Sequence, residues 1–273
     1  MKAGVKKILA ISVWTLFTVG LFVLMSFAQH RHEKHLCTRL DISIERKADH
    51  FFIAEDDIRE LLKERGRPVE GQPMAGIDIN YLEKLISAHP AVETVDVFAG
   101  VGGVVKMKIV QRRPLVRIIN SREESFYIDD KGKIMPWAEN YTAPVLLVNG
   151  DINDGYGSMY KYSVAQIEKD TMLEMHSLID DVFRLASIID ADTFLRAQVV
   201  QAYYVTGKGF ELTPRVGSHK IILGKPVGMA EKLGKLKLFY KEGLNTTGNW
   251  NVYSVINLEY KNQVVCTKRP LIQ

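Results

Sequence analysis

The first pattern along the chain is an uncharged apolar run over residues 8–27, which is followed by a polar stretch over residues 29–35. A helix rises about 1.5 Å per residue, so roughly 20 residues cross the ~30 Å hydrocarbon core of a bilayer. Lipid offers the backbone no hydrogen bonds, which makes a helix the expected form of such a span. The pattern therefore predicts one transmembrane helix over residues 8–28, with a basic cytoplasmic tail over residues 1–7 and the bulk of the chain outside.

A cleaved signal peptide is the alternative interpretation of this segment. Ser26-Phe27-Ala28 offers small residues at the −3 and −1 positions of a cleavage site. The apolar region of a signal peptide usually has about 7–15 residues, which is shorter than this run. We therefore expect an uncleaved anchor.

Residues 37–112 carry alternating and helical patterns that predict a βααββ module. Asp78 is a good N-cap for the second helix, and Pro90 ends that helix because the residue before a proline avoids the helical conformation. The predicted elements are strands at residues 40–45, 92–98 and 104–110 and helices at residues 54–65 and 78–89, with the glycine-containing loop 99–103 joining the last two strands as a hairpin.

The patterns over residues 113–269 predict a mixed β-domain with packed helices. Ser163 and Gln166 have the spacing of a capping box, and apolar residues then recur every three or four positions. We expect one long amphipathic helix over residues 164–189, with Met175 in its buried stripe. The predicted strands lie at residues 115–120, 125–128, 133–135, 145–149, 197–205, 209–212, 219–223, 251–260 and 263–267, and a further helix lies at residues 229–241.

Charge and cysteine content narrow the classes of partner and compartment. The net charge of +4 and the pI of about 8.9 suit a protein near an anionic membrane. The basic residues form no stripe with interleaved aromatic residues, so we expect no nucleic-acid partner. Cys37 and Cys266 lie far apart and no CxxC motif is present, which predicts two unpaired thiols, with one bridge between them as the alternative.

Three short motifs could carry chemistry, and each has a simpler interpretation. Ser158 and Lys161 have the S-x-x-K spacing of penicillin-binding proteins, but the S-x-N and K-[ST]-G motifs that accompany it are absent. The histidine-rich segment 30–35 lacks further ligands at metal-binding spacing, and residues 151–155 place glycine too early for a calcium loop. We expect no enzyme, with no catalytic residue, cofactor, metal ligand or small-molecule substrate.

Five segments carry the motifs of a known family. Residues 86–97 read ISAHPAVETVDV, residues 110–117 read VQRRPLVR and residues 125–132 read SFYIDDKG. Residues 222–240 and 249–269 have the pattern of a penultimate helix and of two final strands. In order and spacing, these segments resemble the FtsQ/DivIB cell-division proteins, whose motifs include HPxVxxAxV, V…RxPxAxI and YLIDxxG.

The resemblance implies an α+β fold and a non-catalytic role as a scaffold of the divisome that helps to control septal peptidoglycan synthesis. The implied organisation is a cytoplasmic tail (1–7), a transmembrane helix (8–28), a POTRA-like domain (37–112), a β-domain (113–269) and a C-terminal tail (270–273). It also implies a single-pass protein of the inner, or cytoplasmic, membrane. The bulk of the chain would then lie in the periplasm and gather at midcell during division.

The partners implied by the resemblance are divisome membrane proteins like FtsB/DivIC and FtsL, besides the lipid of the cytoplasmic membrane. We expect such a partner to add a strand to the free edge of the last strand, since main-chain hydrogen bonds give affinity and side chains give specificity. The candidate partner-binding residues are Tyr253, Tyr260, Gln263, Val264, Val265, Cys266 and Thr267.

Two other functions remain as alternatives. A membrane-anchored periplasmic enzyme that acts on the cell wall would need a concave pocket with convergent titratable groups. A POTRA-containing chaperone of outer-membrane barrels would be expected to carry repeated POTRA units and a C-terminal barrel, and the patterns predict neither.

Overall fold

The structure is a computed structural model, and it divides by internal contacts into two units, Met1–Arg46 with Ile53–Gln111 and Lys47–Phe52 with Arg112–Gln273. The described residues are 13–23, 35–47, 51–65, 68–100, 102–138, 141–248 and 250–270. Residues 13–23 are helical and exposed, and the rest of the predicted anchor at 8–28 lies outside the described residues. Within the described ranges, no helix is both long and apolar enough to cross a bilayer.

The first unit has the βααββ order that the sequence predicts. Its elements are β1 (Arg39–Glu45), α1 (Glu55–Arg65), α2 (Ile79–Ser87), β2 (Val92–Ala99) and β3 (Val104–Gln111), with a 3-10 turn at Met74–Gly76. The strand order is β1-β3-β2, in which β1 runs parallel and β2 antiparallel to β3. Asp78 caps α2 by accepting a 3.0 Å hydrogen bond from the backbone N–H of Tyr81, as predicted.

Two helices cover one face of this three-stranded sheet. Ile58 and Leu62 of α1 are buried, and so are Leu82 and Ile86 of α2. These positions are three or four residues apart, so each helix buries one stripe against the sheet. Burial of such side chains stabilises the unit by roughly 1.5–3 kcal/mol for each fully buried residue.

The second unit is built on one nine-stranded mixed sheet. Its strands are β4 (Pro114–Ile119), β5 (Ser125–Asp129), β6 (Ile134–Pro136), β7 (Leu146–Gly150), β8 (Val199–Val205), β9 (Gly209–Pro214), β10 (Lys220–Gly224), β11 (Tyr253–Asn257) and β12 (Val265–Lys268). They lie in the order β12-β11-β10-β9-β8-β7-β4-β5-β6. The pairs β4–β7, β7–β8 and β10–β11 are parallel, and the other pairs are antiparallel.

Helices pack on this sheet over a continuous apolar core. They are α3 (Tyr156–Met159), α4 (Val164–Ile167), α5 (Thr171–His176), α6 (Ile179–Ala191), α7 (Thr193–Gln198), α8 (Met229–Leu238), a π-helix (Phe239–Leu244) and α9 (Asn245–Thr247). The predicted helix at residues 229–241 therefore exists and continues further. Its predicted apolar face is buried at Leu233, Leu236 and Tyr240.

The single long helix predicted over residues 164–189 is wrong, because three shorter helices, α4, α5 and α6, replace it. Polar side chains interrupt the helix by bonding the backbone at each restart. Asp170 accepts hydrogen bonds from Met172 and Leu173, and Ser177 accepts one from Ile179. Met175, which the prediction placed in the core, is 74% exposed.

Two strand predictions are also too long. Residues 197 and 198 belong to α7, because Asp192 caps that helix by accepting hydrogen bonds from Phe194 and Leu195. The strand predicted at residues 251–260 is limited to β11. Turns bound it on both sides, so Tyr260 is 50% exposed and does not share the buried face of Ile256.

Candidate interaction edge

The candidate partner-binding residues lie on β11, on β12 and in the turn between them. Tyr253 begins β11, and Val265, Cys266 and Thr267 belong to β12. In the register of the two strands, Cys266 lies opposite Ile256 of β11. Val265 and Thr267 lie opposite the two neighbours of Ile256 on that strand. Tyr260, Gln263 and Val264 lie in the connection. The structure thus brings all seven residues to one end of the nine-stranded sheet.

Alternation along the chain divides these side chains between the core and the solvent. Val264 and Cys266 are partly buried against the core, and the Tyr253 ring lies 6.1 Å from the ring of Phe239 in the π-helix. Val265 is 42% exposed and Thr267 is exposed. Successive side chains of a strand point to opposite faces, so the first group supports the strand and the second remains available to a partner.

Arg269 fastens the end of β12, which the sequence patterns did not indicate. Its backbone N–H donates to the carbonyl oxygen of Val252 at 2.9 Å, and its Nε donates to that of Tyr253 at 3.2 Å. Its Nη2 donates to the carbonyl oxygen of Ser218. One guanidinium group therefore ties the exit of the edge strand to two neighbouring segments.

On each edge strand of the smaller, three-stranded sheet, side chains bond the backbone of one residue. On β1, the N–H of Leu40 donates to Glu70 at 3.0 Å, and Arg59 donates to the carbonyl oxygen of Leu40 at 3.1 Å. On β2, the N–H of Val97 donates to Glu83 at 2.9 Å. A side chain that satisfies an edge group removes that group from pairing with another strand.

No such cap is found at the outer edge of β12 among the residues that the structure describes. The side-chain hydrogen bond to this strand in the described part comes from Ser254, on the neighbouring β11, to the carbonyl oxygen of Thr267 at 3.2 Å. β12 is the terminal strand of its sheet. The geometry can therefore accept one further strand through main-chain hydrogen bonds.

Family comparisons agree with this architecture. Residues 113–267 match the family described as FtsQ/DivIB, C-terminal related, and residues 35–110 match a POTRA-like domain. The first match alone covers more than half of the chain. The chain belongs to the FtsQ/DivIB family. A search of curated proteins found no match. Membership in the FtsQ/DivIB family implies a role in cell division, in a family of membrane-anchored, non-catalytic proteins.

The motifs considered for catalysis have structural contacts in this FtsQ/DivIB protein. Ser158 Oγ donates to the carbonyl oxygen of Gly155 at 2.9 Å, and the Lys161 ammonium lies 5.7 Å from the centre of the Tyr160 ring. Among the hydrogen bonds and ion pairs of the described residues, none joins Ser158 to Lys161. The S-x-x-K spacing therefore does not form a nucleophile–base pair here.

The calcium-loop candidate is a turn that supports a helix. Asp151 accepts a hydrogen bond from the N–H of Thr206, and Asp154 accepts one from the N–H of Leu178.

Of the histidine-rich segment considered for metal binding, His30 and His32 lie outside the described residues. Within the described ranges, no group of three or more histidine, cysteine or acidic side chains is arranged to hold a metal ion.

Both thiols are free in the structure, with Cys37 buried and Cys266 half-buried. Burial raises the pKa of the Cys266 thiol. Because the thiolate is the reactive form, a raised pKa keeps this sulfur a packing group at neutral pH. Cys266 thus supports β12 by packing against the core.

Proposed function

We propose that this chain is a non-catalytic, single-pass division protein that scaffolds the divisome and helps to control septal peptidoglycan synthesis through protein–protein contacts. In this proposal, residues 8–28 anchor it in the cytoplasmic membrane, with the tail in the cytoplasm and the bulk in the periplasm. The POTRA-like unit docks a membrane neighbour. The β-domain binds divisome membrane proteins that resemble FtsB/DivIC and FtsL.

The free edge of β12 carries the proposal. On each edge of the three-stranded sheet one backbone N–H is bonded by a carboxylate, Glu70 on β1 and Glu83 on β2, whereas β12 has no such cap among the described residues. An unprotected edge strand is a hazard that proteins normally cover. An edge that stays open is therefore best explained by a partner that pairs with it.

Proline substitutions in β12 test strand addition directly. Full-length protein is mixed with the extracellular segment of an FtsB/DivIC-like partner, and affinity is compared for wild type, Val265→Pro and Cys266→Pro. Successive N–H groups of an edge strand point to opposite sides, so one proline removes a bond to the partner and the other a bond to β11. We expect the proline on the partner side to weaken binding at least about tenfold.

Val265→Thr is the matched control, because it keeps both the β-branched shape and the backbone N–H. Thermal unfolding of each variant identifies the proline that leaves the β-domain folded. Full affinity in a folded variant that has lost the outward N–H would exclude strand addition at β12.

A cellular experiment tests the location. A fluorescent fusion of the full chain is expected to form a band at midcell in dividing cells. A signal that stays evenly distributed around the envelope through division would contradict the proposed role. Cleavage after Ala28, measured by mass spectrometry of the mature protein, would contradict the anchor.

A further inference from the structure

A cavity of about 430 Å³ lies in the second unit, away from β12. Leu115, Leu146 and Val199 line it, at the points where the parallel strands β4, β7 and β8 begin. In the order of the sheet, three strands separate β8 from β12. We call this cavity the arginine pocket because Arg113, Arg196 and Arg215 line it together with Asp190.

The charges around the arginine pocket do not balance. Asp190 accepts from Arg113 at 3.0 Å and lies 3.5 Å from Arg196. Arg113 has a second carboxylate partner, Asp130, at 3.2 Å. Arg215 bonds a backbone carbonyl oxygen and has no ion pair among the described residues. Three guanidinium groups therefore face two carboxylates, and the pocket has an excess of positive charge.

The same contacts hold two of the three arginines, Arg113 and Arg215, in place before any ligand arrives. Asp130 and Asp190 fix Arg113, whose side chain is only 25% exposed. Arg215 is held by the carbonyl oxygen of Ala197, to which its Nε donates at 2.9 Å. A guanidinium group presents a rigid fork of N–H donors that matches a carboxylate. Fixing the forks in advance lowers the entropic cost of binding.

The floor of the pocket is apolar. Leu115, Leu146 and Val199 are each at least nine-tenths buried, and Pro144 and Val145 add further hydrocarbon surface. The hydrocarbon surface that a ligand can reach comes mainly from Pro144, which is exposed, and Val145, which is half-buried. The apolar surface and the arginines that line the pocket together suit a group that combines a carboxylate with an aliphatic side chain.

We propose that the arginine pocket binds a segment of a protein partner that presents one carboxylate beside one aliphatic side chain. Arginine around an apolar centre is the composition of energetically important protein–protein contacts. An anionic membrane surface is instead attracted by clusters of exposed lysine and arginine. Arg113 is only 25% exposed and is already paired with two aspartates, which favours the peptide, whereas Arg196 and Arg215 are exposed, so anionic vesicles are included in the test.

The test uses a minimal probe of this chemistry. The peptide acetyl-Leu-Glu-Val-amide is titrated into the full-length protein, in which isoleucine, leucine and valine methyl groups carry an NMR label. We expect chemical-shift changes centred on the methyl groups of Leu115, Leu146 and Val199. The uncharged analogue acetyl-Leu-Gln-Val-amide should bind about fivefold more weakly, because it lacks the carboxylate that the arginines would bind.

Variants link the binding to the arginines. In Arg196→Gln/Arg215→Gln the glutamate peptide should bind about tenfold more weakly, since Arg113 alone remains and is already paired. Arg122→Gln is the matched control, because Arg122 is an exposed arginine of the same unit that does not line the pocket. Its affinity for the peptide should equal that of wild type.

Either of two results with the peptides would overturn the proposal: no chemical-shift change at the methyl groups of the pocket, or equal affinity for the glutamate and glutamine peptides. It would also be overturned if inorganic phosphate bound more tightly than the peptide, or if the methyl signals of the pocket disappeared when vesicles of anionic lipid were added. The proposal is independent of strand addition at β12. Val265→Pro should leave the peptide affinity unchanged, and the arginine variants should leave pairing at β12 intact.

Discussion

Lys235 on α8 donates a 2.6 Å hydrogen bond from its ammonium group to the carbonyl oxygen of Tyr260, in the turn between β11 and β12. The same ammonium group donates to the carbonyl oxygen of Leu258 at 3.1 Å. One side chain thus ties a helix to the turn that precedes the free edge. Together with Arg269, which follows β12, cations that bond backbone carbonyl oxygens thus fix both the connection before this strand and the residue after it.

Lys235→Met should loosen this turn while keeping most of the hydrocarbon length of the side chain. We expect hydrogen exchange of the backbone amides over residues 258–264 to become roughly tenfold to thirtyfold faster. The reason is that two charge-assisted hydrogen bonds, each contributing of the order of 1 kcal/mol, are lost. Exchange is measured by mass spectrometry or NMR on the full chain.

Lys237→Met provides the control, because Lys237 lies on the same helix and its ammonium group bonds Asp192 instead of the turn. Its exchange over residues 258–264 should match that of wild type. If Lys235→Met leaves exchange in the turn unchanged, Lys235 does not position the edge strand.

The first unit could be predicted well because each of its elements is short and has a clear boundary in the sequence. Alternation gave β1, and Asp78 with Pro90 bounded the second helix at both ends. A glycine-containing loop separated β2 from β3. In such a module local propensity, periodicity and turn residues all agree with the final packing.

The region after Ser163 was predicted less well because periodicity cannot show where a helix is interrupted. Apolar residues continue at helical spacing through α4, α5 and α6. The interruptions depend on hydrogen bonds that polar side chains accept from backbone N–H groups. One of them is accepted by Asp154, which lies 24 residues before the donor, Leu178. Bonds between distant residues leave no pattern within a window of one or two helical turns.

The candidate edge was predictable only in part. The final strand was expected to have a free side, and β12 is indeed the terminal strand of its sheet. The parallel pairing of β10 with β11, by contrast, could not be predicted from the sequence pattern, because it depends on how the chain between the two strands packs in the fold. Glu70 and Glu83 lie 30 and 14 residues away from the groups that they cap, so the contrast between protected and open edges appears only in the structure.

Asp170→Ala should destabilise the start of α5. The carboxylate accepts hydrogen bonds from the N–H groups of Met172 and Leu173, and loss of an N-cap typically costs about 1 kcal/mol. We expect a loss of that size in the free energy of unfolding of the second unit, measured with urea and circular dichroism. Asp170→Asn keeps an acceptor at the cap and should cost less than half as much. Equal stability of Asp170→Ala and wild type would contradict a capping role.

Asp181→Asn should stabilise the protein at neutral pH. Burial, together with the nearby Asp180, raises the pKa of Asp181 from 3.8 to about 6. The folded state therefore binds the proton more tightly than the unfolded state, and this contribution is full below pH 3.8 and lost as the pH rises through 6. We expect a gain of roughly 1 kcal/mol at pH 7, allowing for partial solvent exposure and for the lost Arg184 pair.

The gain from Asp181→Asn should shrink as the pH falls towards 4, because the wild-type carboxyl group then becomes neutral as well. Urea unfolding between pH 4 and pH 7.5 measures this dependence. Glu168→Gln removes an exposed carboxylate of the same unit and should show no comparable gain. A gain that stays constant over the whole pH range would show that charge is not its cause.

His219→Gln should reduce the sensitivity of the second unit to acid. His219 is buried, and its Nε2 lies 2.6 Å from the hydroxyl oxygen of Tyr240, so burial lowers the pKa of this histidine below 6.5. As the pH falls below 6.5 the unfolded state takes up the proton first, and stability decreases with a slope of up to about 1.4 kcal/mol per pH unit. Glutamine can still bond the Tyr240 hydroxyl but cannot titrate. In urea unfolding between pH 6.5 and pH 5, we expect the variant to lose stability less steeply than wild type. An unchanged slope in the variant would show that protonation of His219 does not drive acid unfolding.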